Sequence, residues 1–364
     1  MKYDYLIVGS GFFGSVFARL MTDQGRRCLV IEQRNHIGGN AYTERVDDID
    51  VHVYGPHIFH TNDDDIWAFV NRFASFNNYV NRPKALRNGR LYSLPFNMNT
   101  FHQIWGVIDP SDAQRIVQSQ RLDLGRPADN LEEQALSMVG TDIYELLIRD
   151  YTRKQWGRDP VELPADIIKR LPLRWTYDDN YFNDRYQGIP EDGYTAMFER
   201  MLDGIDVELG VDYFHEREHW NGQAQKTVFT GKIDQWFDYD LGELEYRTLE
   251  FNTTIKPTDN YQGNAVINYC DPNVPWTRMI EHRHFKHCRS DRTVITTETP
   301  VPWTKDKVPY YPVNDKRNQM LYNQYQQRAE ETDVIFGGRL AEYRYYDMHQ
   351  VIGSAMKKAR QELQ

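Results

Sequence analysis

Apolar runs closed by glycine, with a helical stripe between them, open the chain. Residues 5–8 run apolar up to Gly9, the pattern of a short strand buried on both faces of a parallel sheet. Residues 12–24 then place Phe13, Val16, Phe17, Leu20 and Met21 on one helical stripe, which Gly25 stops. Residues 28–31 form a second apolar strand ending at Glu32. This spacing predicts a strand–helix–strand unit of about 30 residues, the crossover that parallel strands require. Residues 63–180 read as mostly helical. Asp63, Asp64 and Asp65 offer N-caps before an apolar run, Asp109-Pro110-Ser111-Asp112 is a second start signal, and 131–156 is a long amphipathic stretch. Pro127, Pro160, Pro164 and Pro172 punctuate this region. Short alternating runs at 207–211, 227–229, 246–251, 265–269 and 294–297 predict an antiparallel sheet. Residues 334–336 read as a further strand and 347–360 as a closing helix.

The first turn carries recognisable chemistry. Gly9-Ser10-Gly11-Phe12-Phe13-Gly14 is a full GxGxxG that follows a strand and opens a helix, with Glu32 lying 18 residues beyond Gly14. Gly9 permits the tight turn, Gly11 lets a pyrophosphate approach the backbone, and Gly14 lets helix and strand close up. The helix N-terminus, at Phe12 and Phe13, offers free N–H groups to a diphosphate, and Glu32 can accept from a ribose hydroxyl. The following residues, Gln33 and Arg34 through the Gly38-Gly39-Asn40 turn, resemble the FAD signature of glutathione-reductase-like flavoproteins. Val228-Phe229-Thr230-Gly231 and Ile335-Phe336-Gly337-Gly338-Arg339 are similar to the other two flavin segments of that superfamily. A helix beginning near Asp347 and Met348 would aim N–H groups at the pyrimidine edge of a flavin; Asp347 is equally suited to capping it.

Composition narrows the partners. Lysine and arginine number 43 against 53 aspartates and glutamates, a net charge of −10, which argues against nucleic acid as a polymer but not against a local basic pocket. At 364 residues the chain exceeds the size of one core, so two or three domains are expected. Cys28, Cys270 and Cys288 are widely spaced, and the 11 histidines form no HExxH pattern, so reduced thiols and no metal site are expected. No run approaches the roughly 20 apolar residues of a spanning helix. With a mean hydropathy of −0.72, the chain reads as soluble and cytoplasmic, with no membrane partner. The 24 tyrosines and 8 tryptophans against 17 phenylalanines suit half-wet sites that stack rings and hydrogen-bond at their edges.

Longer segments carry a more specific resemblance. HVYGPHIFHT (52–61), YVNRPKA (79–85), SLPFNMNTFHQ (93–103), YTRKQWG (151–157), ELPADIIKRLPLRWTYDDNYFNDRYQGIP (162–190), VPWTRMIEH (274–282), PYYP (309–312) and GRLAEYRYYDM (338–348) resemble prokaryotic UDP-galactopyranose mutases from end to end. The resemblance implies an FAD enzyme, active when reduced, that interconverts UDP-galactopyranose and UDP-galactofuranose through a covalent adduct between flavin N5 and the sugar. It assigns Arg170 and Arg278 to the diphosphate, which guanidinium forks suit. It places His60 beside flavin and sugar, where a neutral imidazole can shuttle a proton. Trp156 falls on a mobile substrate loop with Arg153, Lys154 and Arg158, a basic set suited to closing on a diphosphate. Tyr151 and Thr152 belong at the base, with Asn81 as a polar contact and Leu147 where some relatives stack a phenylalanine. Tyr181, Phe182, Asn268, Tyr311 and Tyr345 match sugar and diphosphate contacts. Tyr310 and Tyr346 are adjacent alternatives on opposite faces, so one of each pair suffices. The flavin set comprises Gly9, Gly11, Phe12, Phe13, Glu32, Gln33, Gly39, Asn40, His57, Ile58, Arg339, Asp347 and Met348.

The implied architecture is α/β. A Rossmann-like FAD-binding domain is expected from 1–78, 191–240 and 318–364. A helical domain is expected at 98–178, and an antiparallel sheet substrate domain from 79–97, 179–190 and 241–317. Expected partners are a nucleotide sugar, NAD(P)H or another flavin reductant, and a second copy in a homodimer. Three alternatives stay open: the same chemistry on UDP-N-acetylgalactosamine or a dTDP-deoxysugar, an amine-oxidase-like flavin oxidoreductase, and an inert FAD-binding module.

Overall fold

Two sheets organise the chain in the computed structural model, which describes residues 1–168 and 172–364. The first is five-stranded and wholly parallel, in the order Val334–Phe336, Ala224–Phe229, Tyr3–Val8, Cys28–Glu32, Asp206–Leu209. Its central strands lie between two helical faces, so their side chains are apolar on both sides, as the unbroken runs implied. The helix Phe12–Thr22 crosses from the first strand to the second, and the closing helix Met348–Glu362 packs beside it. The runs at 207–211 and 227–229 therefore correct the antiparallel expectation: they join this parallel sheet. Alternation over a few residues reports a strand, but not the direction of its partner.

The second sheet has seven strands in the order Tyr311–Pro312, Tyr246–Lys256, Thr293–Pro302, Arg278–Glu281, Val266–Tyr269, Lys84–Arg87, Arg90–Ser93. It is antiparallel except where Val266–Tyr269 runs parallel to Lys84–Arg87. Helices Met98–Trp105, Pro110–Gln120, Leu131–Val139 and Arg149–Trp156 form a separate apolar cluster over its far edge. Asp63 and Asp109 are the N-caps their positions suggested: each side chain accepts from backbone N–H groups of the turn that follows. The stretch 131–156 is not one helix. Gly140, at φ +79°, ends Leu131–Val139, and Tyr144–Ile148 forms one wide turn before the helix resumes at Arg149.

Candidate active site

The dinucleotide turn forms as its glycines require. A Cβ on Gly14 would sit 2.0 Å from the Gly9 carbonyl oxygen, and one on Gly9 would sit 2.1 Å from Thr230 Oγ1. Gly11 differs: a Cβ there would meet nothing nearer than Gly39 Cα at 4.0 Å. Its openness faces the Gly38-Gly39 turn, which is held by the Gly38 N–H donating to the Ser10 carbonyl (3.1 Å). The helix Phe12–Thr22 has no side-chain cap and no acid in its first turn, so its N–H groups remain for an anion. Arg34 donates to Asn40 Oδ1 (2.8 Å) and lies over the Tyr54 ring, while its Nη1 is buried without a partner. An orphaned N–H on the guanidinium that holds Asn40, next to the Gly39 that faces Gly11, suits an anion such as a diphosphate. Glu32 accepts from Ser10 N–H and Oγ and from the Arg34 N–H, and the carboxylate keeps acceptor capacity. Gln33 is exposed. The side chains of Phe12 and Phe13 are buried, which fits the backbone N–H role expected of them. Phe12 packs on Phe198, and Phe13 packs under Gly337, so only their backbone N–H groups face the anion site.

A cleft of about 1140 Å³ opens between the second sheet, the helical cluster and segments 54–60 and 339–348, and it reaches the dinucleotide turn at Asn40. Asn40, His57, Ile58, His60, Asn81, Tyr151, Thr152, Trp156, Tyr181, Phe182, Asn268, Arg278, Tyr311, Arg339, Tyr345, Asp347 and Met348 all line it. Sheet register explains the central row. Asn268 pairs directly with Arg278, and Arg278 with Glu298, so the three side chains stand abreast on one face. Arg278 forks onto Glu298, with Nη2 to Oε1 at 3.0 Å, and Nη2 also reaches Tyr311 Oη at 3.5 Å. Glu298 is only 1% exposed, whereas the Arg278 side chain keeps 26% of its surface. The carboxylate is thus buried behind a guanidinium that faces the cleft. Burial opposes the charge on Arg278, yet Glu298 and the surrounding tyrosines hold its pKa well above the usual arginine value. Asn81 and Asn268 each bury an Oδ1 without a partner, two acceptors awaiting donors such as sugar hydroxyls.

Tyr151, Thr152 and Trp156 come from the helix Arg149–Trp156. Trp156 ends that helix, rather than lying on a loop as expected, and Gly157 caps it in the left-handed conformation at φ +66°. The three basic neighbours also depart from expectation, because none lines the cleft. Arg153 pairs with Asp159, Arg158 bridges Glu245 and Asp315, and Lys154 points into a turn of the second sheet. Beyond Tyr151 the wall is apolar, with Leu94, Phe96, Leu131, Leu147 and Ile148. Tyr310 and Tyr311 both line the cleft, with Tyr311 the one that meets Arg278, whereas Tyr346 does not line it. Arg339 ties the two tyrosine segments together by donating to the Tyr310 and Tyr346 carbonyls. Asp347 and Gln350 form a capping box at the helix Met348–Glu362. Arg170 lies outside the described residues.

Two histidine groups flank the cleft. His60 stacks on Phe182 at 3.7 Å between ring centroids, and its Nδ1 hydrogen-bonds Asp184 Oδ2 (2.8 Å), whose other oxygen accepts from Asn62. His60, Asp347 and His349 bring one donor atom each within 4.8 Å, a gathering no sequence spacing announced. Beneath the floor, the His57 N–H donates to His52 Nδ1 (3.0 Å), and the His52 N–H donates to His282 Nδ1 (3.2 Å). His282 and His52 must therefore be neutral with the proton on Nε2. Burial pushes His57 down to about 4 and His282 to about 3. Unfolded imidazoles take protons below 6.5 while these stay neutral, so the unfolded state binds more protons in that window. Stability is expected to fall by several kcal/mol as pH drops from about 6.5 to 4. His282→Asn should flatten this dependence; an unchanged slope of thermal midpoint against pH in that variant would count against it.

Glu298 and Asp184 are the partners that the sequence did not reveal. Glu298, 20 residues from Arg278, is set beside it by strand pairing, whereas Asp184, 124 residues from His60, lies just before the strand Tyr186–Gly188 that pairs with Phe59–Thr61.

The chain matches the family model described as UDP-galactopyranose mutase over residues 146–345, and one described as NAD(P)-binding Rossmann-like domain over 7–73. It is 42% identical over 365 residues to dTDP-fucopyranose mutase of Escherichia coli, covering 98% of this chain and 97% of that protein. It is also 42% identical over 363 residues to a probable UDP-galactopyranose mutase of Klebsiella pneumoniae, covering 97% and 93%. A crystal structure of reduced UDP-galactopyranose mutase shares its fold, with a TM-score of 0.79 at 12% identity over 100% of this chain and 94% of the other.

Proposed function

Because the chain belongs to the UDP-galactopyranose mutase family, we propose that it interconverts UDP-galactopyranose and UDP-galactofuranose with reduced FAD. The observation that carries this reading is the row Asn268–Arg278–Glu298, which faces a cleft that reaches Asn40 at the edge of the dinucleotide turn. Reduced FAD supplies an electron-rich N5 able to bond to the anomeric carbon as the nucleotide leaves. The chain's own residues do the rest. Gly11, the N-terminus of the helix Phe12–Thr22 and Arg34 hold the cofactor diphosphate. Arg278, kept charged and oriented by Glu298, stabilises the charge that develops on the departing diphosphate. Arg170 joins it by its match to the family pattern. Tyr311 and Tyr345 offer hydroxyls to the phosphate oxygens without a full charge. Asn81 and Asn268 accept from ribose and sugar hydroxyls, and Tyr151, Thr152 and Trp156 hold the base and ribose. Tyr181 and Phe182 close over the sugar. His60, with Nδ1 engaged by Asp184, keeps Nε2 to pass a proton as the sugar ring opens and recloses. Three segments (1–78, 191–240 and 318–364) would make up the FAD-binding domain, with a flavin reductant such as NAD(P)H and a homodimeric assembly.

A second reading has its own support. The relative named dTDP-fucopyranose mutase is as similar as the uridine-linked one, and the apolar wall at Leu94, Phe96, Leu131 and Leu147 would accept a thymine methyl group. The test is kcat/KM of dithionite-reduced protein on UDP-galactofuranose, UDP-N-acetylgalactosamine and dTDP-fucose. Highest conversion of UDP-galactofuranose supports the first reading. A preference of about tenfold or more for dTDP-fucose would transfer the assignment to the second.

A further inference from the structure

Lys154 is the one member of the KQWG segment whose charge is buried in backbone. Its ammonium donates to four carbonyl oxygens, those of Tyr269 (2.6 Å), Asp271 (2.9 Å), Val274 (3.0 Å) and Trp276 (3.1 Å). An ammonium has three protons, so four acceptors at this range hold it as a compact charge rather than by directed bonds. Converging carbonyl oxygens are also what strips water from a monovalent cation. These four carbonyls belong to the turn joining Val266–Tyr269 to Arg278–Glu281, the two strands that carry Asn268 and Arg278. Lys154 itself sits on the helix that carries Tyr151, Thr152 and Trp156. A single side chain thus spans the two walls of the cleft from behind. Arg87 reinforces the junction by donating to the Cys270 carbonyl and pairing with Asp150 of the same helix at 2.8 Å. With that arginine occupied, no other described cation reaches the four carbonyls.

We propose that Lys154 is a positioning residue: a built-in cation that fixes the distance between the nucleotide-holding helix and the Asn268–Arg278 strand pair. The cage it fills then accepts a free monovalent cation or small amine when the side chain is removed. The placement in the reaction rests on the mutase reading above, but the cage does not, which makes the two separately testable. In FAD-loaded Lys154→Ala, UDP affinity and mutase kcat/KM are expected to fall about tenfold or more, with flavin retained. Methylammonium or potassium should raise the variant's thermal midpoint and restore UDP affinity over the same concentration range. Neither should do so for the wild type, with lithium at equal ionic strength as the control. Lys154→Arg keeps the charge and helix propensity, but its planar fork does not fit a four-acceptor cage, so it should lose activity too. If Lys154→Ala does not fold, Lys154→Arg carries the test, and wild-type kinetics in it would overturn the proposal. So would wild-type UDP affinity in Lys154→Ala without added cation, or a midpoint that no cation raises. Cation rescue of the midpoint without turnover by the wild type would retain the cage and reject the mutase reading.

Discussion

Arg278→Ala is expected to lower kcat/KM by about 10²- to 10³-fold while the purified protein stays yellow. The guanidinium faces the cleft with a fork toward Glu298 behind it, and the flavin cradle lies on the other sheet. Removing it has two consequences that must be separated. The charge that stabilises a departing diphosphate is lost, and Glu298 is left buried without its partner. The second effect alone destabilises by about 3–5 kcal/mol. Arg278→Ala combined with Glu298→Gln removes the unpaired charge, so its thermal midpoint should recover most of the way while turnover stays low. Arg278→Lys keeps a charge beside Glu298 but loses the fork, so it should fall between wild type and alanine. Full activity in Arg278→Ala, or recovery of turnover in the double variant, would contradict the assigned role.

Gly11→Val should give a folded, colourless protein. Most glycines of the turn cannot report on the cofactor, because a side chain on Gly9 or Gly14 collides with the protein itself. Gly11 has ordinary negative φ, and a Cβ there meets nothing within 3.9 Å. The space it keeps clear is bounded by Gly39 and by the bare helix N-terminus. A valine would fill this space without straining the sheet. The expected result is a near-native far-ultraviolet spectrum with no flavin absorbance near 450 nm, roughly where oxidised flavin absorbs. Flavin bound at wild-type stoichiometry would show that the diphosphate lies elsewhere. Gly14→Val, by contrast, should fail to give soluble protein, since its Cβ would sit 2.0 Å from the Gly9 carbonyl.

What was legible in the sequence was local. The glycine turn, Glu32 at the end of its strand, and the caps at Asp63 and Asp109 each depend on residues within one turn of one another or on one crossover. They form where their spacing places them. The family segments located most of the cleft lining, because each is a contiguous run whose resemblance does not depend on how the runs meet in space. What was not legible depends on register. Nothing in the run 293–302 announces that Glu298, rather than a neighbouring threonine, stands behind Arg278. Strand pairing alone decides it. Asp184 is also a long-range partner: it precedes the strand Tyr186–Gly188, whose pairing with Phe59–Thr61 carries it to His60. The basic cluster around Trp156 was misread for a related reason. Charge along a sequence says nothing of direction, and in the fold Arg153, Lys154 and Arg158 are taken up by a neighbouring acid, a carbonyl cage and the edge of the second sheet. Phe12 and Phe13 bury their side chains, as large apolar residues at a helix start do, which leaves the backbone N–H groups that the motif offers to a diphosphate.

Turnover of this enzyme should depend on the redox state of its flavin. The reaction leaves the sugar at the same oxidation level, so an ordinary isomerase would not respond to the state of its flavin. Conversion of UDP-galactofuranose to UDP-galactopyranose should be followed with the same FAD-loaded protein before and after dithionite reduction under anaerobic conditions. Turnover is expected only after reduction, with loss of turnover on reoxidation by air and no net consumption of reductant per sugar converted. Equal turnover in both states, or no conversion of any nucleotide sugar by the reduced protein, would contradict this expectation.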